Sequence, residues 1–140
     1  MCGRFLNLNK SNFIKKNFDI SRSINQEIIS YNLSPSQIIQ IITNHNNNIK
    51  LEKSKWGYSF IDKKINSEKI IINSRLETIR EKLLFKDSFQ KRKCIIPANG
   101  YYEWSINQNI KIPYLIHLPK LEPIFFAGIW KFIDFKKSSN

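Results

Sequence analysis

Residues 37–43 and 49–56 form two strand-like runs around His45-Asn46-Asn47-Asn48. Asparagine tolerates positive φ, so the tetrapeptide reads as a hairpin turn and the flanking runs as antiparallel partners. The last third continues in the same manner, with strand-like stretches at 93–97, 101–104, 112–118 and 124–132. These are separated by Gly100, by Asn107-Gln108-Asn109 and by residues 119–123. A further short β-branched strand, 69–72, follows a polar loop at 62–67 and ends at Asn73. Helical signals are fewer. Ser11 can cap a helix running to Phe18, with Phe13, Ile14 and Phe18 on roughly one face. Leu76, Ile79 and Leu83 carry helical spacing over 76–84, and a second helical piece fits 86–90. Residues 31–35 read as irregular, from their Pro and polar content.

At 140 residues, with 41% apolar and 13% aromatic side chains, the chain fits one domain with a packed core. The expectation is a single domain over 1–135 and a disordered tail at 136–140, with no repeat or linker. Isoleucine, asparagine and lysine are used so heavily that a single Lys or Asn carries little information, and the arginines carry more. Lys and Arg number 23 against 11 Asp and Glu, a formal charge of +12. Such a balance is the footprint of a phosphate-binding surface, and nucleic acid is the first partner to consider against a generally basic solvated surface. The N-terminus lacks an apolar signal core and no apolar run approaches a bilayer span, which argues against membrane attachment.

Cys2 and Cys94 are the only cysteines and His45 and His117 the only histidines. Their spacing offers no zinc site, so no metal is expected, and two cysteines without a secretory signal fit free thiols in a reducing cytosol. Cys94, inside an apolar run, reads as a small buried hydrophobe, and His45 as part of the exposed turn. Cys2 is different. If Met1 is removed, Cys2 presents an α-amine and a thiol on adjacent carbons, a 1,2-aminothiol. The amine condenses with an aldehyde to a Schiff base, and the thiolate closes a five-membered thiazolidine on the same carbon. The bland alternative is a cysteine placed second by accident.

Glu103 lies in the strand Tyr101-Tyr102-Glu103-Trp104, where Tyr101 and Glu103 share one face and Tyr102 and Trp104 the other. A carboxyl among large aromatics loses hydration and tends towards a raised pKa, which suits proton donation near neutrality.

Several stretches, in order along the chain, resemble the SOS-response-associated peptidase (SRAP) family. They are Met1-Cys2-Gly3-Arg4-Phe5, Tyr31-Asn32-Leu33-Ser34-Pro35-Ser36-Gln37, Trp56-Gly57, Asn73-Ser74-Arg75-Leu76-Glu77-Thr78, residues 89–98, Gly100-Tyr101-Tyr102-Glu103-Trp104, and Phe126-Ala127-Gly128-Ile129-Trp130. The resemblance implies an α+β fold around a twisted, barrel-like antiparallel β core with short flanking helices. It also implies a sensor of abasic sites in single-stranded DNA, working in the DNA-damage response as a cytoplasmic, nucleoid-associated monomer without a cofactor. Members trap the ring-opened deoxyribose aldehyde covalently with the N-terminal cysteine, which is freed from the initiator methionine by autoproteolysis.

Carried over by residue, the resemblance implies that Cys2 is the nucleophile, that Asn73 orients the reacting sugar or amine, and that Glu103 is the acid/base. Arg4 and Arg75 would clamp flanking phosphates, with Arg92 a weaker candidate; a planar two-pronged guanidinium suits a phosphate better than an ammonium does. Trp56 is a DNA-binding candidate, although an aromatic in such a place is more often core. The family usually follows its Trp-Gly pair with Pro and another Trp, whereas Tyr58-Ser59-Phe60 stands here, so stacking on unpaired bases would fall to Tyr58 or Phe60. The family also continues to a His-Arg-Met-Pro-type segment with a catalytic histidine, for which His117 is no match. The corresponding expectation is a shortened chain lacking C-terminal elements, whose cross-linking is slowed about 10²–10⁴-fold for want of an acid/base. Two other readings compete: a non-covalent nucleic-acid-binding remnant, and an N-terminal-cysteine amidohydrolase acting on small amides.

Overall fold

The computed structural model describes residues 2–20, 22–23, 27–62 and 64–132; Met1 and the expected tail at 136–140 lie outside them. Within these bounds the strands are β1 (Arg4–Asn7), β2 (Arg22–Ser23), β3 (Ser30–Leu33), β4 (Ile38–His45), β5 (Asn48–Lys55) and β6 (Tyr58–Asp62). They continue with β7 (Ser67–Ile71), β8 (Lys93–Ala98), β9 (Gly100–Asn107), β10 (Ile110–Ile116) and β11 (Ile124–Ile129). Two helices, α1 (Ser11–Phe18) and α2 (Leu83–Lys91), and a 3₁₀ turn at Pro119–Leu121 complete the described elements.

The central hairpin forms as its turn residues dictate. His45 pairs with Asn48, and Asn46 and Asn47 between them both take positive φ, 51° and 61°, the two-residue turn whose twist matches that of its strands. The same device joins β9 to β10: Asn107 pairs with Ile110, with Gln108 and Asn109 at φ 46° and 66°. One sheet has the order β10-β9-β1-β3 and another β11-β8-β4-β5-β2, while β6 and β7 pair alone. All pairings are antiparallel except the short contact of β2 with β5. The fold is therefore α+β around an antiparallel core, as expected; the two main sheets stay open, so the barrel-like description holds only loosely.

The core sits between these two sheets. Phe5 and Leu33 from one, and Ile39, Ile41, Cys94 and Ala98 from the other, form a single buried cluster. Phe5 is its hub, edge-on to Trp56 at 5.1 Å and to Phe126 at 5.8 Å. Burying an aromatic side chain of this kind stabilises by roughly 1.5–3 kcal/mol. A second cluster fixes α1: Ile14 packs on Ile42 and Leu51, which are directly opposed in the β4–β5 ladder. Gly57 links β5 to β6 at φ +123°, and a Cβ there would lie 2.4 Å from Ile70 Cγ2, so only glycine is accommodated.

Three local expectations change. Ser11 does not cap α1: the cap position is Lys10, and the Ser11 backbone N–H donates to Glu27 Oε1 at 2.9 Å. A carboxylate from a distant segment thus satisfies the helix N-terminus. Residues 31–33, expected to be irregular, belong to β3, because β1 offers an unpaired edge and pairing overrides propensity. Residues 76–81 are hydrogen-bonded turns rather than helix. Of the three spaced apolar residues only Ile79 is buried, at 6% exposure, while Leu76 and Leu83 are 71% and 92% exposed. Lys82 is extended, with ψ 118°, and the helix proper starts after it, with Phe85 and Ser88 buried.

Candidate functional site

β1 is the element that delivers Cys2, and a buried network of amides holds β1 in place. Asn99 Oδ1 accepts the Leu8 backbone N–H at 2.6 Å and the Asn9 side-chain amide at 3.0 Å, while Asn99 Nδ2 donates to the Leu121 carbonyl at 2.8 Å. Asn9 Nδ2 also reaches Asn7 Oδ1 and the Ala98 carbonyl, and Asn7 Nδ2 donates to Gln40 Oε1 and the Ile28 carbonyl. All four side chains are buried. The three asparagines are engaged, while Gln40 Nε2 is left buried without a partner among the described residues; a network of this kind favours one register. It ties β1 to the β8–β9 corner and to β4. At that corner a Cβ on Gly100 would meet the Ile116 carbonyl at 2.8 Å, so β9 turns in close.

Just ahead of β1, Cys2 is half-buried against the core cluster. Its thiol donates to the Arg4 carbonyl at 3.3 Å, and Asn73 Nδ2 donates to the Cys2 carbonyl at 2.9 Å. Burial pushes the thiol pKa up; a backbone hydrogen bond at Arg4 opposes the rise, and the negative charge of Glu103 adds to it. The thiol is therefore held in its protonated form at neutral pH. Glu103, half-buried on β9, shares the inward face with Tyr101, whose ring meets Phe126 in the core at 6.0 Å. Cys2, Asn73 and Glu103 are thus brought together from three separate parts of the chain. Cys2 and Asn73 also line a cleft of about 510 Å³, with Trp56, Ile72, Phe126 and Lys131 among its walls.

The basic candidates divide. Arg4 is exposed beside Cys2, and its Nη1 donates to Asn32 Oδ1 at 2.9 Å, which fixes the guanidinium. Arg75 is exposed two residues after Asn73, at the start of a turn in which its carbonyl accepts from the Thr78 and Ile79 N–H groups. Arg92 stands apart. Its guanidinium pairs with Asp87, reaches Ser88 Oγ at 3.3 Å and donates through Nε to the Trp130 carbonyl at 3.3 Å. Those bonds tie α2 to the end of β11; none of Arg4, Arg75 and Arg92 is among the residues lining the cleft. Trp56 packs edge to face with Phe5 and also lines the cleft.

Elsewhere, Cys94 is buried, with its thiol pushed up to about 12 by burial. His117 is exposed, its Nδ1 2.7 Å from the Leu118 carbonyl. Among the described residues no group of three or more His, Cys, Asp or Glu could hold a metal ion, and no helix is long and apolar enough to cross a membrane. The sequence did not point to the Asn7–Asn9–Asn99 network or to Asn32 as the partner of Arg4. Their only signal was asparagine in a chain rich in asparagine.

Comparison with known proteins identifies the family and supports the fold. Residues 1–140 match the SOS response associated peptidase (SRAP) family. Two Bacillus subtilis relatives, the abasic site processing proteins YoaM and YoqW, are 38% and 36% identical over 137 residues, or 94% of this chain. The chain spans 60% of the length of each of these curated relatives. A solved structure from Bordetella bronchiseptica aligns with a TM-score of 0.71 at 20% identity, covering 93% of this chain and 64% of the other, which supports the fold.

Proposed function

Because the chain belongs to the SOS response associated peptidase family, we propose that it captures abasic sites in single-stranded DNA by closing a thiazolidine on Cys2, after Met1 has been removed by autoproteolysis. The observation that carries this reading is the meeting of a half-buried Cys2 thiol, a Glu103 carboxylate close enough to act on it, and an Asn73 amide on the Cys2 carbonyl. The names of its Bacillus relatives as abasic site processing proteins support the substrate.

The chemistry follows from the protonation states. The amine of Cys2 attacks the C1′ aldehyde of the ring-opened sugar, and the Glu103 carboxylate relays the two amine protons to the oxygen, so that one water leaves as the neutral imine forms. A thiol kept protonated does not compete for the aldehyde before the imine exists. The Glu103 carboxylate then takes the thiol proton and passes it to the nitrogen as sulfur bonds to the imine carbon, leaving a neutral ring amine. One water is lost in all. Asn73 keeps the Cys2 backbone from rotating, so nitrogen and sulfur face the same carbon. Arg4 and Arg75 hold the phosphates on either side of the lesion, and Trp56 offers an aromatic wall to the cleft. Capture of this kind places the protein in the DNA-damage response, acting on unpaired DNA as a monomer.

The test is a denaturing gel of protein incubated with a single-stranded oligonucleotide carrying one abasic site, without reductant. The expected result is a denaturation-resistant adduct, absent with an intact strand and absent for Cys2→Ala. Glu103→Gln is expected to slow its formation about 10²–10⁴-fold. Adduct formation by Cys2→Ala would end the proposal. Salt-dependent binding that does not distinguish intact from abasic strands, with no adduct, would favour the non-covalent reading.

A further inference from the structure

Asn73 reaches the Cys2 carbonyl from a hairpin that belongs to neither main sheet. Among the described residues β6 and β7 pair only with each other, with Tyr58 directly opposite Ile71 at the open end. Asn73 follows Ile71 by two residues, so its place in the cleft is inherited from that first pair. On the other side of the pair, Trp56 is held by backbone bonds: its N–H donates to the Gln37 carbonyl and its carbonyl accepts the Ser36 N–H, each at 2.8 Å. Gly57 is the joint between Trp56 and the hairpin, at φ +123° and with Ile70 packed where a Cβ would stand. A two-stranded hairpin on its own is only marginally stable, so this one needs a further hold.

Lys131 provides it. Just past β11, its Nζ donates to the Ser59 carbonyl and stands 4.3 Å from the centre of the Tyr58 ring. A lysine beside a strand end is ordinarily a solvated charge. Here the ammonium belongs to a half-buried side chain in the cleft wall and meets two groups of one hairpin. Tyr58 is gripped from other sides too, with its ring edge-on to Phe85 at 5.3 Å and its hydroxyl 3.2 Å from Ser88 Oγ. Arg92 Nη2 donates to the same Ser88 Oγ at 3.3 Å. Arg92 also exchanges two bonds with Trp130, donating through Nε to its carbonyl at 3.3 Å and accepting its N–H at 3.0 Å. The contacts therefore run from Lys131 through Tyr58, Ser88, Arg92 and Trp130 back to Lys131. Such a circuit fixes the base of the hairpin against α2 and the end of β11 together.

We propose that Lys131 is a positioning residue for capture: by clamping Tyr58 and Ser59 it sets the β6–β7 hairpin, and through Ile71 the Asn73 amide, on the Cys2 carbonyl. The proposal rests on the reading of Cys2 as the capturing residue, but the placement of Asn73 can be measured without any reaction. In this role Lys131 takes no proton and need not touch the sugar. Its charge acts on a ring and a carbonyl, so a guanidinium, which donates and lies on aromatic faces, can replace it, whereas a neutral apolar chain of similar length cannot.

The experiment compares Lys131→Met, Lys131→Gln, Lys131→Arg, Asn73→Ala and the double variant Lys131→Met with Asn73→Ala. Lys16→Met, at an exposed position on α1, is the control for loss of one charge. The first readout needs no DNA: it is the Asn73 side-chain amide signal in nitrogen–proton NMR spectra, identified by its loss in Asn73→Ala. The signal is expected to move towards that of a free amide in Lys131→Met and to stay in place in Lys131→Arg and Lys16→Met. The second readout is single-turnover adduct formation over a range of concentrations of an abasic single strand. Lys131→Met is expected to lower the saturating rate roughly tenfold, short of the ~10²-fold that a misplacement of about 1 Å can cost, with the half-saturating concentration unchanged. Lys131→Gln keeps a donor for the Ser59 carbonyl without the charge, and an intermediate loss is expected; Lys131→Arg restores most of the rate. The double variant is expected to be no slower than Asn73→Ala alone, because both changes act on one amide. A multiplied loss in the double variant, an unmoved Asn73 signal in Lys131→Met, an effect confined to the half-saturating concentration, or an equal loss in Lys16→Met would each overturn the proposal. A shifted Asn73 signal alongside no adduct from the unmodified chain would support the positioning role and count against covalent capture alone.

Discussion

Replacing Asn99 by alanine tests how β1, and with it the nucleophile, is held. Asn99 is 5% exposed and makes three side-chain bonds: it accepts from Leu8 N–H and Asn9 Nδ2 and donates to the Leu121 carbonyl. Asn9 keeps two other partners, Asn7 Oδ1 and the Ala98 carbonyl, so its loss is small. The Leu8 N–H loses the side-chain acceptor it uses here, at a desolvation cost of about 1–3 kcal/mol, and each net hydrogen bond contributes about 1 kcal/mol. The sum is about 3 kcal/mol. For a domain of this length that corresponds to a fall in Tm of roughly 10 °C, at about 3 °C per kcal/mol. Urea unfolding is expected to give a lower midpoint with an unchanged slope. Since β1 leads directly to Cys2, the same variant is expected to alkylate faster at Cys2 in the native state. A fall of less than about 3 °C in Tm would refute the claim that this network fixes the strand.

Two further outcomes follow from the charges and thiols. Native protein treated with iodoacetamide at pH 8 is expected to be modified at Cys2 alone, slowly, and faster as pH rises; Cys94, with its thiol near 12 and buried, reacts only after unfolding. Peptide mapping checks this, and early modification of Cys94 would contradict its burial. The Asp87 carboxyl is held below its ordinary value of 3.8 by Lys91 and Arg92. A lowered folded value means that its contribution to stability is complete above 3.8 and is lost as pH falls through the lower folded value. An acid titration of stability is therefore expected to be shallower for Asp87→Asn in that window, and identical profiles would remove the pair from the account.

What could be read in the sequence, and what could not, divides along the range of the interactions. The hairpins at Asn46-Asn47 and Gln108-Asn109 were legible because turn chemistry is local: two adjacent positive-φ positions settle the register of both strands. The alternation at residues 101–104 put Glu103 on one face with Tyr101 for the same reason, and the structure turns that face inward. The helix expected over 76–84 failed because spacing says which residues share a face but not whether a core lies opposite; only Ile79 found one. Ser11 looked like a cap, but a carboxylate 16 residues away took that role. Arg92 was legible only as a charge; its engagement with Asp87 and the Trp130 carbonyl depends on contacts across 5 and 38 residues. The asparagine network was hidden by composition: in so asparagine-rich a chain, nothing local separates Asn99, buried with three bonds, from Asn109 in an exposed turn.

The central claim, that Cys2 closes a ring on an abasic sugar, is tested most directly by intact-mass analysis of the purified protein before and after incubation with an abasic single-stranded oligonucleotide. The account predicts a starting mass lacking one methionine, then a gain equal to the oligonucleotide less one water, mapped to Cys2. A starting mass that retains Met1, with no gain after incubation, would contradict it.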